Sequence, residues 1–429
     1  MTPPAPSLAI AALAGAVALG VPLFAGRARG RRYGIFAAVV LGISLPGCVA
    51  LHARLAAAAG TGPDAVAVSA LFAWGVAAAG LHLASLVRAR LRPAPFRWGL
   101  SVPGMATLAL GALAGPLLLL LWPLRAGAPA RELEGAGAAL ARLDAVPVLV
   151  VAASLVTSLR PRREHVRIRL DGEAHASLAR LPVERSRRPL PAAPERPLRL
   201  VQIADPHLGP WQPEARLARQ VEELLAAAPD LVLLTGDFLT MEGSGTPGAL
   251  ARALRPLRAA RGRCFAVFGN HDHEAPEEVR SALAESGVRL LVDDEAMADT
   301  AAGPVQIVGA DWVRRNRGAH LAGLLARFPR RPGALRLLLL HDPLGFRALP
   351  PGEVDLVLSG HTHGGQVGLL SLGVDWTVLR RSRWPDHGLF GRGRSRLYVH
   401  RGTGFYGFPL RVGVPGEHSV MDVLLPEPS

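Results

Sequence analysis

The stretch Gly360-His361-Thr362-His363-Gly364-Gly365-Gln366 sets two imidazoles one residue apart, after the apolar run Asp355-Leu356-Val357-Leu358-Ser359 and before a glycine pair. Imidazoles at alternate positions of a loop can splay toward two neighbouring metal ions, and glycines let such a loop turn sharply. A lone His-x-His is a modest signal. Its weight comes from company. Asp205-Pro206-His207 follows the apolar residues 198–204, Asp237 follows 231–236, Asn270-His271-Asp272 follows 265–269, and His341-Asp342-Pro343 follows 335–340. Residues two apart on extended chain point the same way, so Asp205 and His207 are expected to converge on one ion. Asp205, His207, Asp237, Asn270, His341, His361 and His363 are seven oxygen or nitrogen ligand types, each just past an apolar strand. Any one alone reads as a cap or a turn residue. Together they are too many for one tetrahedral zinc and suit two adjacent ions of about five- or six-fold coordination that share a carboxylate.

The elements that must hold these groups alternate. A strand, a polar tip and a helix recur three times from residue 198, with the first helix at about 213–228 carrying Leu217, Val221, Leu224 and Leu225 on one face. Further strands are expected at 305–309, 335–340 and 354–359. That alternation implies helices flanking a largely parallel sheet, with reactive groups collected at the carboxyl ends of its strands.

Residues before 160 have a different character. Five apolar segments, at 7–25, 35–53, 65–87, 100–124 and 145–159, precede the first motif. Crossing a bilayer takes about 20 helical residues, so four suffice as they stand. The fifth is short and needs 140–144 to add a turn, with Arg142 and Asp144 reaching the interface; otherwise it is a buried or interfacial helix. All 48 basic residues are arginine, against 34 acidic ones, for a net charge of +14. Arginines cluster after the first, third and fifth segments and are sparser or offset by acids after the second and fourth. This is the alternation expected of five spans with everything after Arg160 in the cytoplasm. The first segment lacks a basic leader, so a cleaved signal peptide is not expected. The charge therefore reads as membrane topology before nucleic-acid binding, for which a basic stripe interleaved with aromatics is missing. Cys48 and Cys264 make neither a disulfide framework nor a metal cluster. The expected organisation is a transmembrane domain over 1–163, a proline- and arginine-rich juxtamembrane connector over 164–196, in which Val166-Arg167-Ile168-Arg169-Leu170 alternates like a short strand, and a catalytic domain over 197–426.

The motifs Asp-x-His, Gly-Asp, Gly-Asn-His-Asp, a lone His and Gly-His-x-His stand here in the order of the calcineurin-like metallophosphoesterase superfamily, which residues 198–425 resemble. The likeness is to its membrane-associated bacterial branch, similar to UDP-2,3-diacylglucosamine hydrolase-like proteins. The resemblance implies a four-layer α/β (α+β) sandwich of two mixed sheets between helices, here preceded by the all-α membrane segment. It implies that Asp205, His207 and His363 hold one ion, that Asn270, His341 and His361 hold the other, and that Asp237 bridges them. It also implies that His271 faces the substrate, to stabilise the transition state or protonate the leaving group, with Asp272 orienting its ring. This chain departs from many relatives in Pro206 and in Thr240, which stands where a second-shell aspartate is usual.

The expected reaction is hydrolysis of a phosphodiester or phosphomonoester by a metal-activated hydroxide. Binding to a metal lowers the pKa of water from about 15.7 to about 7, worth about 12 kcal/mol, more than a side-chain base supplies. Two divalent ions are expected, manganese favoured, with iron or zinc compatible. The partners expected are the bilayer and a phosphoester, with a lipid-linked or nucleotide-linked one a reasonable class; nucleic acid is not expected. Arg401, before Gly402-Thr403-Gly404, could meet phosphate or sit in a surface turn. His82, His320, His387 and His418 read as solvated or structural, and Trp211 as packing. An alternative reading is a membrane sensor or transport-associated protein with a regulatory phosphoesterase-like domain. The scarcity of ionisable groups in the apolar segments, His52 and His82 near their ends apart, argues against an ion path.

Overall fold

A computed structural model of the chain describes residues 5–126, 142–193, 195–407 and 410–425. They form two compact units, Met1–Val156 with Tyr406–Leu410, and Thr157–Phe405 with Arg411–Ser429.

In the first unit, α1 (Ala5–Arg29), α2 (Arg31–Ala59), α3 (Pro63–Ser85) and α4 (Val102–Ala126) are apolar around most of their circumference. Among the described residues, four helical stretches of 24 to 32 residues are long and apolar enough to cross a membrane. Small residues let them approach: a Cβ on Gly111 of α4 would lie 1.8 Å from the Ser44 carbonyl oxygen of α2, the close packing expected where helices associate without water. Of the five spans expected, four reach membrane-crossing length. The fifth apolar segment, α5 (Val146–Leu159), has 14 residues, about 21 Å at 1.5 Å each. Residues 140 and 141 of its expected extension lie outside the described residues. Asp144 does not reach outward; its carboxylate is buried and accepts hydrogen bonds from Arg54 at 2.7 Å and Arg125 at 2.8 Å.

Among its described residues the second unit has fourteen strands. They are β1 (Arg162–Arg169), β2 (Ala179–Arg180), β3 (Glu184–Ser186), β4 (Leu198–Ile203), β5 (Leu231–Leu234), β6 (Cys264–Ala266) and β7 (Arg289–Leu290). Then follow β8 (Asp294–Thr300), β9 (Gly303–Ala310), β10 (Leu335–Leu340), β11 (Leu356–Ser359), β12 (Gly388–Arg392), β13 (Ser395–Val399) and β14 (Glu417–Leu424). Two seven-stranded mixed sheets result, ordered β3-β1-β14-β4-β5-β6-β7 and β2-β12-β13-β11-β10-β9-β8. The period-two alternation of the strands decides the layers. Leu200, Leu233 and Phe265 of the first sheet meet Ile307, Leu339 and Leu358 of the second in one buried cluster between the sheets. The intervening Val308, Leu338 and Leu340 pack on Leu321, Leu324 and Leu325 of the helix α8 (Arg317–Arg327). On the first sheet, α6 (Glu214–Leu225) buries Leu217, Val221 and Leu224, and α7 (Pro276–Glu285) buries Val279 and Leu283. The architecture is the expected sandwich of two mixed sheets between helices.

The stretch expected as a connector is built into this sandwich. β1 pairs in parallel with β14 from Arg162↔Glu417 to Arg169↔Leu424, β3 extends the same sheet, and β2 joins the other. The alternation of Val166, Ile168 and Leu170 with arginines marks a short strand, which β1 contains up to Arg169; the proline and arginine content around it hid that the stretch belongs to the two sheets.

Candidate metal centre

The central parallel strands β4, β5, β10 and β11 end at one edge of the sandwich, and the loops beyond them carry the motifs. The backbone does not stay extended there. Asp205 (φ 48°), His207 (φ 44°), Asp237 (φ 58°), His361 (φ 71°) and His363 (φ 50°) all lie in the left-handed region, at about 1–3 kcal/mol each. Asp205 and His207 therefore converge through a tight turn, not by extended-chain alternation. Two glycines make room: a Cβ on Gly360 would sit 2.2 Å from Asp205 Oδ2, and one on Gly269 2.2 Å from Asp237 Oδ1.

Six of the seven candidate ligands fall into two groups, Asp205 with His207 and His363, and Asp237 with His341 and His361, each with ligand atoms within 4.8 Å of one another. Within the first, His207 Nε2 and His363 Nε2 are 3.3 Å apart, and His363 Nε2 lies 3.5 Å from Asp205 Oδ1. Within the second, His341 Nε2 lies 3.1 Å from His361 Nδ1, 3.3 Å from Asp237 Oδ2 and 3.2 Å from the seventh candidate's side chain, Asn270 Oδ1. Asp237 Oδ2 also reaches to 3.8 Å from His207 Nε2, so this carboxylate stands between the groups.

These contacts fit cations better than hydrogen bonds. His341 donates its Nδ1–H to the Thr235 carbonyl at 2.7 Å, which in the neutral ring leaves a lone pair on Nε2, facing one nitrogen and two oxygens. Nitrogens bound at about 2.0–2.1 Å to a common ion stand about 3.0–3.4 Å apart, the spacing seen in both groups. Burial pushes His207 down to about 3 and His361 to about 4, and His363 well below its ordinary value, so these rings present lone pairs at neutral pH. His341 behaves oppositely: burial opposes its charge, yet the Asp237 carboxylate raises it to about 10. Without metal, a proton on His341 supplies the positive charge that the centre demands.

Around the ligands the structure corrects two expectations. Asp272 does not serve the His271 ring; its buried carboxylate accepts the backbone N–H groups of Asp237 at 2.7 Å, Phe238 at 2.8 Å and Gly269 at 2.7 Å, fixing the loops that carry Asp237 and Asn270. The acid beside the ring is Glu274, whose Oε1 lies 2.9 Å from His271 Nδ1. Arg401 is neither on a surface turn nor aimed at the centre: it is buried and ion-paired with Glu164 at 2.7 Å and Glu417 at 3.5 Å. Thr240, in the place of the usual aspartate, caps the short helix Met241–Ser244 and sets its hydroxyl 2.9 Å from the Leu208 carbonyl oxygen.

Two residues beside the ligands carry no sequence signal. Arg411 is buried with Nη2 at 3.1 Å from His363 Nδ1, and the same Nη2 donates to the carbonyls of Arg401 at 2.8 Å and Gly404 at 2.6 Å. Trp384 lies with its ring 5.4 Å from that of His361. Trp211, in contrast, is buried against Phe405.

Residues 198–365 match the family model described as calcineurin-like phosphoesterase. The metallophosphoesterase YkoQ of Bacillus subtilis is 32% identical over 197 residues, covering 43% of this chain and 68% of that protein. The phosphodiesterase YaeI of Escherichia coli is 29% identical over 220 residues, covering 50% of this chain and 78% of its own. A zebrafish (Danio rerio) transmembrane protein with a metallophosphoesterase domain is 31% identical over 242 residues, 51% of this chain and 52% of that protein. The ordered motifs, the paired sheets that position them and these relatives agree: the chain belongs to the calcineurin-like phosphoesterases, a family of metal-dependent phosphoric ester hydrolases.

Proposed function

We propose that the chain is a membrane-anchored, dinuclear-metal phosphoesterase that cleaves a phosphodiester or phosphomonoester on a lipid-linked or nucleotide-linked substrate. The observation that carries this is Asp237 Oδ2, buried between two groups of imidazoles at 3.3 Å and 3.8 Å. Asp205, His207 and His363 would hold one divalent ion, Asn270, His341 and His361 the other, and Asp237 both; manganese is favoured by the mixed oxygen and nitrogen donors, with iron or zinc compatible. Such a pair of ions would supply an activated water and a clamp for phosphate oxygens.

The chain's own residues supply orientation and a proton. His271 donates its amide to Asp237 Oδ1 at 2.9 Å, and its ring lies 5.7 Å from that of His207. Burial opposes charge on this ring, but Glu274 and Asp237 outweigh it and raise its pKa. A protonated, partly exposed imidazole at the rim suits transition-state stabilisation or leaving-group protonation. Four membrane-length helices support a substrate met at a membrane, and a nucleotide-linked lipid of the UDP-2,3-diacylglucosamine kind is one member of that class.

The test is metal analysis of the full chain in detergent beside its turnover of bis-p-nitrophenyl phosphate and p-nitrophenyl phosphate. About two ions per chain and hydrolysis of either ester are expected. Asp237→Ala should abolish turnover; undiminished hydrolysis in that variant would discredit the bridging assignment.

A further inference from the structure

Apolar side chains on the surface of the catalytic unit are not scattered. Among its described residues through 425, six large apolar side chains are exposed, and five of them, Leu369, Leu372, Val374, Trp376 and Val378, fall within ten consecutive positions. Leu372 at the tip is 77% exposed. The segment is an ordered hairpin: Leu369 N donates to Trp376 O and Val378 N to Val367 O, both at 2.9 Å, and Ser371 N donates to Gly413 O at 2.9 Å. Its base is anchored by Thr377, whose buried hydroxyl donates to Asp386 at 2.6 Å, while Asp386 is ion-paired with Arg180. A rigid hairpin that holds this much hydrocarbon in water needs a partner.

The surroundings of the hairpin identify that partner. Arg381 and Arg383 are exposed just past the apolar residues, followed by Trp384. Beside the tip opens a cavity of about 320 Å³ that Leu370 and Val374 share with Arg162, Arg180, Arg185 and Arg401, against the carboxylates of Glu164 and Asp375. Apolar side chains at a tip, tryptophan at the shoulder and arginine behind are the pattern that favours the boundary between acyl chains and anionic headgroups. The hairpin is also continuous with the metal centre. Val367 follows Gly364-Gly365-Gln366 directly, a Cβ on Gly365 would meet Leu379 at 2.9 Å and Val378 at 3.1 Å, and Trp384 faces His361.

We propose that the hairpin 367–378 seats its apolar tip in an anionic lipid bilayer and so presents the metal centre to phosphoesters at the membrane surface. The bilayer contact stands on the hairpin alone; the presentation of substrate rests on the phosphoesterase reading. Full-length protein is reconstituted in phosphatidylglycerol vesicles that contain a doxyl-labelled lipid, with an environment-sensitive dye on Leu372→Cys, and separately on the exposed Glu277→Cys as control. Cys48 and Cys264 are buried, so the engineered thiols take the dye. Emission at 372 should be blue-shifted and quenched by the doxyl lipid, and emission at 277 should be neither. Water-like, unquenched emission at 372 overturns the proposal, and so does cross-linking between copies through 372 in place of quenching, because the occupant is then a second chain.

Catalysis gives an independent reading. Burying a leucine or valine side chain is worth about 1.5–3 kcal/mol, or about tenfold or more in affinity. Leu372→Asp with Val374→Asp should therefore lower turnover of hexadecyl p-nitrophenyl phosphate carried in such vesicles by about tenfold or more, and leave turnover of soluble bis-p-nitrophenyl phosphate unchanged. Equal turnover of the vesicle ester would refute the presentation role. A parent protein inactive on both esters, with 372 still quenched, would sink the phosphoesterase reading and spare the anchor.

Discussion

His271 shows how a single side chain acquires a role from its neighbours. Its ring is partly exposed, stands 5.7 Å from the His207 ring, and is held charged against burial by Glu274 at 2.9 Å and by Asp237. His271→Ala should keep the metal and lose about a hundred- to ten-thousand-fold in rate; loss of metal would instead put His271 among the ligands. Glu274→Gln probes the charge. Because Glu274 raises the folded-state pKa of His271, its removal lowers that pKa, and the imidazolium deprotonates at lower pH. A rate that needs the proton should then fail earlier as pH rises, so the basic limb of the kcat profile should shift downward while the metal content stays fixed. An unmoved limb would remove His271 as the acid. The ligand types around this residue were legible in the sequence because each motif sits at the end of an apolar strand. Glu274 was not: it lies three residues from His271, and only the tight turn through Asp272–Glu274 brings it to the ring. Asp272 looked like the orienting acid by adjacency, whereas three converging amides had the stronger demand for a carboxylate.

At the scale of elements, the alternation of strand, tip and helix gave away β4 to β6 and β9 to β11, because central strands bury both faces and read as continuous apolar runs. β1 lies nearer the sheet's edge; the alternation at 166–170 marks it as a strand, but the charges that join it to the catalytic unit are reported by no periodicity. Its Glu164 is buried and accepts hydrogen bonds from Arg185 at 2.6 Å and Arg401 at 2.7 Å, and Arg401 in turn pairs with Glu417 on β14. This polar knot holds the stretch expected as a linker onto the catalytic unit and explains why an arginine-rich segment can be structural. Removing one member of a buried ion pair typically costs about 3–5 kcal/mol, because the partner is left uncompensated. Glu164→Ala should therefore lower the thermal midpoint of the full chain markedly. The metal stoichiometry of the protein that remains folded should be unchanged, since no ligand touches Glu164. A midpoint equal to that of the parent would return residues 164–196 to the status of a tether.

At the scale of the whole molecule, the open question is on which side of the membrane the catalytic unit works, and the helices of the first unit frame it. Arg29 at the end of α1 donates to the Leu86 carbonyl just past α3, and Tyr33 at the start of α2 donates to the Leu83 carbonyl at 2.6 Å. One end of the bundle thus gathers Arg27, Arg29, Arg31, Arg32, Arg88 and Arg90, whereas at the other end Asp144 compensates Arg54 and Arg125. By the positive-inside rule, a bias of this kind is expected to favour the arginine-rich end in the cytoplasm. The chain leaves α4 at the compensated end, so the side on which the catalytic unit lies turns on α5. Its 14 residues cover about 21 Å of a hydrocarbon core of about 30 Å, a mismatch that local thinning of the bilayer can absorb at a fraction of a kcal/mol per Å. The cluster Arg160, Arg162 and Arg163 directly after α5 matches the arginine-rich end in sign, and on that ground we propose that α5 crosses and that the catalytic unit lies in the cytoplasm. A membrane-impermeant maleimide should fail to label Glu277→Cys in intact spheroplasts and label it after lysis. Labelling before lysis would show that α5 lies along the interface without crossing, and would move the hydrolase to the outer face.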